Sequence, residues 1–339
     1  MNTALRWAPK NPSTTGGRAG IFVDVTTAGE ADPVSAPTAA AARRLGRAAV
    51  AALYDELALA PKPGLVSFDD NGSHSDMDAR TFLRSLFALR HSYPRFAALG
   101  AQGADFAALA HAGLAAEVRM LAATGGINTH RGAVFTLGLL CASAGALLAA
   151  GKALQADALR HTLVTRWGPA LAERNASGRS AVDAEASDAP AAAAAPAAAA
   201  AAAATTPSHG SQAARAHGLR GANAEAAAGM PVLFDTALPA LRTGLAAGLP
   251  PQAARLQAFF AALAVLADTN LAHRGGLAGL RWAQAQAQAW LDAGGAHAPD
   301  ALAQAHCIHR AFVQRRLSPG GAADVLAAAC WLQRVCGPA

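Results

Sequence analysis

The sequence predicts an all-α protein, and three observations lead to that fold class. Hydrophobic residues make up 53% of the chain but aromatic residues only 5%, and much of the apolar content is alanine, so the core must form by close packing of helices. Strand-forming residues are scattered and do not alternate with polar ones, which disfavours a sheet. The sequence contains no segment in which a strand is followed by a glycine-rich loop and then a helix, which excludes the Rossmann and P-loop classes. We therefore expect a single multi-helix domain of antiparallel helices with short loops.

The elements follow in order from proline, glycine and composition boundaries. Residues 1–34 are rich in Pro, Gly and Thr and are expected to be a disordered extension. The helical domain is expected over 35–339, interrupted at 176–208 by an Ala/Pro-rich insertion that is expected to be flexible, since it has no large apolar side chain to bury. Helices are predicted from Thr38 to Pro61 and near 78–99, 103–123, 129–150, 152–174, 210–229, 231–247, 251–272, 276–293, 299–316 and 319–336.

Charge and cysteine content exclude several classes. The net charge of +6 comes almost wholly from arginine, with no dense basic run, so we expect no nucleic-acid partner, although a mildly positive field favours a polyanionic ligand. The four cysteines show no CxxC spacing and no signal peptide is recognised, which favours a reduced, cytoplasmic protein. The uncharged run over 132–150 is long enough to span a bilayer. It is expected to be the central helix of the domain, with no membrane contact.

A polar loop follows Pro61-Lys62-Pro63-Gly64 and holds the first candidate site. Lys62 is a candidate phosphate ligand, His74 a candidate acid or base, and Asp76 a candidate ligand of Mg²⁺. Charged side chains crowded into one short loop destabilise it by repulsion unless they are exposed to solvent or bind a ligand. The alternative is a solvated loop in which Asp76 or Asp78 caps the next helix.

A glycine-rich turn, TGGINTHRG at 124–132, leads into the uncharged helix and is the second candidate site. Glycines allow backbone amides to point at a ligand, and the start of a helix adds donors and the positive end of its dipole. The alternative is an ordinary turn with an N-cap at Asn128 or Thr129. The candidate phosphate-binding residues here are Gly125, Gly126, Asn128, Thr129 and His130.

Two further carboxylates stand out by their surroundings. Glu117 lies in an otherwise apolar helical stripe, where a charge must be paired or bound to a cation; a buried ion pair and a metal or acid–base role are both open. Asp268 is placed near the C-terminal end of a predicted helix, where its charge is unfavourable. Arg274 follows it, and Ser318 opens the last helix, so both are added as candidate phosphate ligands.

Together these strings resemble the triphosphoribosyl-dephospho-CoA synthase family. The strings are ELALAPKPGLVSFDDNGSHSDMD at 56–78, EVRMLAATGGINTHRGA at 117–133, DTNLAHRGG at 268–276 and LSPGGAAD at 317–324. The first two are closest to the branch that serves malonate decarboxylase, the citrate lyase branch being the relative. One departure is Asn223, where the family usually carries an arginine.

The resemblance implies a transferase that moves the triphosphoribosyl group of ATP to the 2′-hydroxyl of 3′-dephospho-CoA and releases adenine. It implies Mg²⁺ as cofactor and a product passed on toward an acyl-carrier protein subunit. Asp76, Glu117 and Asp268 become candidate Mg²⁺ ligands and, with His74, candidate catalytic groups. The alternatives are a Mg²⁺-dependent ribosyl hydrolase or phosphoryl transferase, and a non-catalytic accessory protein that binds an acyl carrier.

Overall fold

In the part of the chain that the structure describes, every regular secondary-structure element is a helix. A computed structural model describes residues 36–176 and 209–337, and within these ranges no strand occurs, which confirms the all-α prediction. The predicted extension and the predicted insertion, except for Ala176, lie outside the described residues. The helices are α1 (Ala36–Leu57), α2 (Ala79–Leu89), α3 (Ser92–Ala101), α4 (Phe106–Thr124), α5 (Arg131–Ala149), α6 (Ala156–Ala176), α7 (His209–His217), α8 (Ala222–Ala227), a π-helical turn (Val232–Ala237), α9 (Leu238–Ala246), α10 (Pro251–Val265), α11 (Thr269–Asp292), a 3₁₀ turn (Gly295–His297), α12 (Ala301–Gln314) and α13 (Gly320–Cys336).

Helix α5 is the centre of the core. It packs against α1, α3, α4, α6 and α13, and its middle is buried on all sides. Its contact with α3 is a backbone-to-backbone approach: a Cβ on Gly100 would overlap the carbonyl oxygen of Ala142, and one on Gly145 would overlap that of Ala97. Small residues at both crossing points thus replace the bulky side chains that the composition lacks.

Two helices are long and apolar enough to cross a membrane by length and composition. In α5, 72% of the apolar window is buried inside the fold, whereas in α4 the figure is 28%. The core helix of a folded domain passes the same test, and α5 occupies that position. The prediction that the run over 132–150 is a central helix is therefore confirmed for α5.

Several helix boundaries differ from the sequence prediction, and one of them matters for the site. The helix predicted over 251–272 ends at Val265, after which Leu266 is extended and Asp268 becomes the N-cap of α11. A short polar side chain that bonds backbone amides favours such a helix start over a helix interior. Asp268 therefore stands at the favourable end of a helix dipole, not at the unfavourable end that the sequence suggested.

The helix starts on one side of the molecule define the site. The first residues of α5, α11 and α13 all line one large cleft. Each helix N-terminus carries the positive end of its dipole, so three of them around one cleft favour a negatively charged ligand.

Candidate functional site

The cleft has a volume of about 1270 Å³. Its walls include the loop after α1, the turn between α4 and α5, the starts of α11 and α13, the end of α6, and the stretch from α7 to the start of α8. The chain segments that carried the sequence-predicted sites thus converge on one cavity. The predicted site residues on its walls are His74, Asp76, Glu117, Gly126, Asn128, Thr129, His130, Arg274 and Ser318, whereas Lys62, Gly125 and Asp268 are not among its lining residues.

The polar loop is held against the starts of α11 and α13 by a hydrogen-bond network around His74. Arg274 donates to His74 Nδ1 at 3.2 Å and to the carbonyl oxygen of Ser73 at 3.2 Å. Because a guanidinium only donates, Nδ1 accepts, and Nε2–H then donates to the hydroxyl of Ser318 at 2.8 Å. Burial and then the charge of Arg274 lower the pKa of His74, while Asp76 opposes them. His74 is therefore a neutral, positioned imidazole at the cleft wall.

Asp76 is the most open carboxylate among the predicted site residues in the cleft. Its side chain is 58% exposed and Oδ1 lies 3.6 Å from His74 Nδ1. The helix cap expected of Asp76 or Asp78 falls to Asp78, which accepts from the amide of Thr81 at 2.8 Å at the start of α2. Asp76 is thus left with oxygen atoms available to a ligand.

The glycine-rich turn uses its amides to close α4. Gly125 adopts the left-handed conformation at φ 71°, and the amides of both Gly125 and Gly126 donate to the carbonyl oxygen of Leu121. The N-cap of α5 is His130, not Asn128 or Thr129 as the alternative expected, and Asn128 Oδ1 supports this helix start by accepting from the amide of Arg131 at 3.1 Å. The two glycine amides expected to meet phosphate are therefore occupied, and the turn presents side chains to the cleft.

His130 is the buried imidazole of this wall. Burial, followed by the charge of Lys62, lowers its pKa to about 3, so the ring is neutral. Nδ1 lies 2.7 Å from the hydroxyl of Ser85, and Phe82 meets the ring edge-on at 4.9 Å. Nε2 has no hydrogen-bond partner in the described part of the chain, and the hydroxyl of Thr129 is in the same state. Buried polar atoms are normally paired, so both are ready to meet a ligand.

Glu117 faces Arg131 across the cleft edge. Arg131 Nε lies 2.8 Å from Glu117 Oε2, and the Glu117 side chain is 16% exposed. Burial raises the pKa of Glu117 to about 7, although Arg131 opposes the shift. The carboxyl group therefore changes charge near neutral pH, at a position where both an ion-pair role and a proton-transfer role remain open.

Lys62 is a structural partner in this fold. It is 1% exposed and forms a buried ion pair with Glu56, whose backbone carbonyl also accepts from Nζ at 2.7 Å. Burial lowers the pKa of Lys62 and raises that of Glu56, while their mutual attraction opposes both shifts. Its expected phosphate contact does not follow from this placement, because the amine points into the protein. Proline and glycine punctuation located the loop but did not show which way the lysine turns.

Asp268 joins two helix starts. Its Oδ1 accepts from the amides of Asn270 at 2.9 Å and Leu271 at 3.2 Å, and its Oδ2 accepts from that of Ala322 at 3.0 Å. The carboxylate is 1% exposed and its oxygens are occupied by α11 and α13. We therefore assign Asp268 a positioning role, holding Ser318 and Arg274 on the same side of the cleft.

The candidate residues missed by the sequence analysis are Asp324, Arg174 and Arg215, all of which line the cleft. Asp324 ended the quoted string LSPGGAAD, and an acid one turn into a helix after Gly-Gly was a usable signal. The two arginines flank the Ala/Pro-rich stretch, and beside such a biased composition they form no motif that the sequence analysis could recognise. Asn223, the departure from the resembled family, also lines the cleft.

A known protein family covers most of the chain. The family model described as CitG, ATP:dephospho-CoA triphosphoribosyl transferase, matches residues 42–338 of the chain. No solved structure matches it.

Proposed function

The chain belongs to the ATP:dephospho-CoA triphosphoribosyl transferase family, and we propose that it moves the 5-triphosphoribosyl group of ATP to the 2′-hydroxyl of 3′-dephospho-CoA with release of adenine. The observation that carries the proposal is the cleft of about 1270 Å³ at which three helix starts converge. A ligand pocket for one drug-sized molecule has a volume of roughly 300–1,000 Å³, so this cleft has room for two nucleotides.

The triphosphate is assigned to the helix-start side of the cleft. Arg274 supplies a cation there, while Thr129 and His130 supply buried polar atoms that have no hydrogen-bond partner among the residues the structure describes. Ser318 and Asn128 also line the cleft, although each already takes part in one protein hydrogen bond. Multiple fixed donors of this kind hold the sugar carbon of ATP in place for attack.

Mg²⁺ fits this arrangement through few protein ligands. Across residues 36–176 and 209–337, no group of three or more His, Cys, Asp or Glu side chains could hold a metal ion. Mg²⁺ bound to a nucleotide takes most of its oxygen ligands from phosphates and water, with one or two carboxylates from the protein. Asp76 is the carboxylate we assign to it, with Glu117 as the second candidate. The ion would neutralise phosphate charge when bound.

Ribosyl transfer makes two electrostatic demands. As the bond from C1 of the ribose to adenine N9 breaks, the carbon gains positive charge, which a nearby carboxylate such as Glu117 stabilises in its ionised form. The 2′-hydroxyl of the acceptor loses its proton as its oxygen bonds to that carbon, and the leaving base gains one. The chain must therefore bind both substrates, exclude water from the carbon and move one proton at each end.

We further assign the product to malonate decarboxylase, by transfer toward its acyl-carrier subunit, and the enzyme to the cytoplasm. Support for this branch comes from the strings at 56–78 and 117–133. The two pathways can be compared by incubating the protein and its product with the acyl-carrier subunit of malonate decarboxylase or with that of citrate lyase. Each mixture also contains the enzyme that loads the subunit in question. Equal binding of both subunits would contradict the assignment.

Product analysis tests the main proposal. The protein is incubated with ATP, Mg²⁺ and 3′-dephospho-CoA, and products are separated by chromatography and weighed by mass spectrometry. We expect free adenine in step with an acceptor heavier by one triphosphoribosyl unit. Acceptor-dependent ADP or AMP without adenine would indicate phosphoryl transfer, and adenine with free ribose triphosphate would indicate hydrolysis; either result overturns the proposal.

A further inference from the structure

A small recess opens from the cleft between α5, α8 and the starts of α11 and α13. It has a volume of about 100 Å³ and shares Gly132, Phe135, Ala222 and Asp324 with the cleft wall. Its remaining walls are mainly apolar, including Leu233, Leu266 and Val325. A flat, aromatic and mostly uncharged group fits such walls better than a phosphate does.

The carboxyl groups that line this recess differ in what they already bind. Glu225 accepts from the amide of Val232 at 3.0 Å, and it also pairs with Arg220 at 3.5 Å. Asp268 is occupied by the amides of α11 and α13. Asp324 receives a backbone hydrogen bond from Ala133 and otherwise faces other carboxylates. Within the described lining, Asp324 is thus the acid with most capacity for a ligand.

The position of Asp324 is fixed by close packing. A Cβ on Gly132 would overlap Oδ2 of Asp324, so the carboxyl group rests directly on the first turn of α5. Burial, with the neighbouring charges of Glu56 and Asp268, raises its pKa well above the usual range, and the Ala133 amide only partly opposes this. Burial thus favours the protonated form of this carboxyl group, which is the form that can donate a proton.

We infer that this recess holds the adenine of ATP, and that Asp324 donates its proton to a ring nitrogen of the departing base. This rests on the proposed function. The bond from C1 of the ribose to adenine N9 breaks with its electron pair going to the base, and the carboxyl proton moves to N3 or N7. The 2′-hydroxyl oxygen bonds to C1 and its proton passes to solvent, and Asp324 takes up one proton from solvent for the next turnover, so the proton count balances.

Both substrates contain adenine, and the recess is assigned to the base that leaves. Fitting the acceptor's adenine there would bring Asp324 to a base that keeps its glycosidic bond, where a proton donor has no use. The assignment therefore predicts that blocking the recess affects ATP and leaves dephospho-CoA unaffected.

The first test blocks the recess. Ala222 is exposed and lines it, whereas Ala224 in the same short helix does not, so Ala222→Phe and Ala224→Phe are matched variants. We expect Ala222→Phe to raise the KM for ATP about tenfold or more, with the KM for dephospho-CoA unchanged, since a filled subsite removes the base contacts. Ala224→Phe should leave both constants within about twofold. A rise for dephospho-CoA alone, or no rise for either substrate, would overturn the assignment.

The second test addresses the proton. Asp324→Asn keeps the shape, and we expect kcat to fall about 10²–10⁴-fold. Both proteins are also assayed with 3-deaza-ATP and 7-deaza-ATP. With wild-type protein we expect one analogue to react more slowly than ATP, because it lacks the nitrogen that accepts the proton. With the Asn variant that same analogue should react no more slowly than ATP. If Asp324→Asn lowers kcat by the same factor with all three nucleotides, Asp324 only supports the fold. Unchanged turnover in a folded Asn variant would exclude Asp324 as the proton donor.

These outcomes are distinct from failure of the proposed function. If the wild-type protein releases no adenine from ATP, ribosyl transfer itself is wrong. If it releases adenine and the variants behave like wild type, only the recess and Asp324 are misassigned.

Discussion

Replacement of Glu117 by Gln is predicted to change how stability depends on pH. The carboxyl group has an ordinary pKa of 4.5 and a folded-state pKa of about 7, because burial disfavours its ionised form. The folded state therefore holds the proton more tightly than the unfolded state does. The stability that this site contributes is fully present below pH 4.5 and is lost as pH rises through about 7.

The size of the effect follows from the shift. Each pKa unit corresponds to about 1.36 kcal/mol, so ionising Glu117 in the fold removes at most about 3 kcal/mol, and about 2–3 kcal/mol of this falls between pH 5 and pH 8. Glutamine cannot ionise. The free energy of unfolding of Glu117→Gln, relative to wild type, should rise by that amount from pH 5 to pH 8.

The measurement is urea denaturation of both proteins at half-unit steps from pH 5 to pH 8. Glu173→Gln, which removes an exposed glutamate from α6, is the matched control and should follow wild type throughout. If the difference between Glu117→Gln and wild type does not vary with pH, the environment does not hold the proton and the reasoning from burial fails.

The same variant separates a catalytic from a structural role. If Glu117 supports ribosyl transfer, activity per folded molecule at pH 8 should fall at least tenfold while stability rises, since the charge that stabilises the sugar carbon is gone. Activity that persists would identify Glu117 as an ion-pair partner of Arg131 only.

Three further predictions concern the carboxylates and the buried lysine. Lys62→Met should lower the free energy of unfolding by about 3–5 kcal/mol because it leaves Glu56 buried and unpaired, and Glu56→Gln added to it should recover much of the loss in the same denaturation assay. A loss below about 1 kcal/mol would show that the pair is not buried in solution. Asp268→Ala should cost about 1–3 kcal/mol by orphaning amides at two helix starts, measured by thermal unfolding, with Asp268→Asn milder because one acceptor oxygen remains; an Ala variant as stable as wild type would contradict this. Asp76→Asn should leave stability within about 0.5 kcal/mol but raise the Mg²⁺ concentration needed for half-maximal activity, and an unchanged Mg²⁺ titration would remove Asp76 as the metal ligand.

Local patterns located most of the cleft. The prolines and glycines after α1 and before α5 identified the two turns that carry His74 and His130. This was possible because the end of a helix depends mainly on residues that are adjacent in the sequence. The same signals failed at Asp268, where an apolar run continues past the true end of α10. There the bond from the amide of Ala322, distant in sequence, helps to make the aspartate a cap.

Side-chain direction was beyond the reach of spacing. Lys62 and His74 lie in the same polar loop, yet the lysine turns inward to Glu56 and the histidine outward to the cleft. Which way each turns depends on what α1 and α13 present from either side. For the same reason the amides of Gly125 and Gly126, which the sequence predicted to bind phosphate, instead donate to a carbonyl oxygen at the end of α4.

The sequence by itself determined the helical fold class, the existence of the polar turns and the family, since each depends on composition, periodicity or a contiguous string. Only the tertiary structure decided that the starts of α5, α11 and α13 meet at one cleft, that Asp324 stands beside an apolar recess, and that Lys62 is buried. These facts depend on contacts between residues that are far apart in the chain, such as Gly132 with Asp324. Their energies come from burial and packing, which no local pattern encodes.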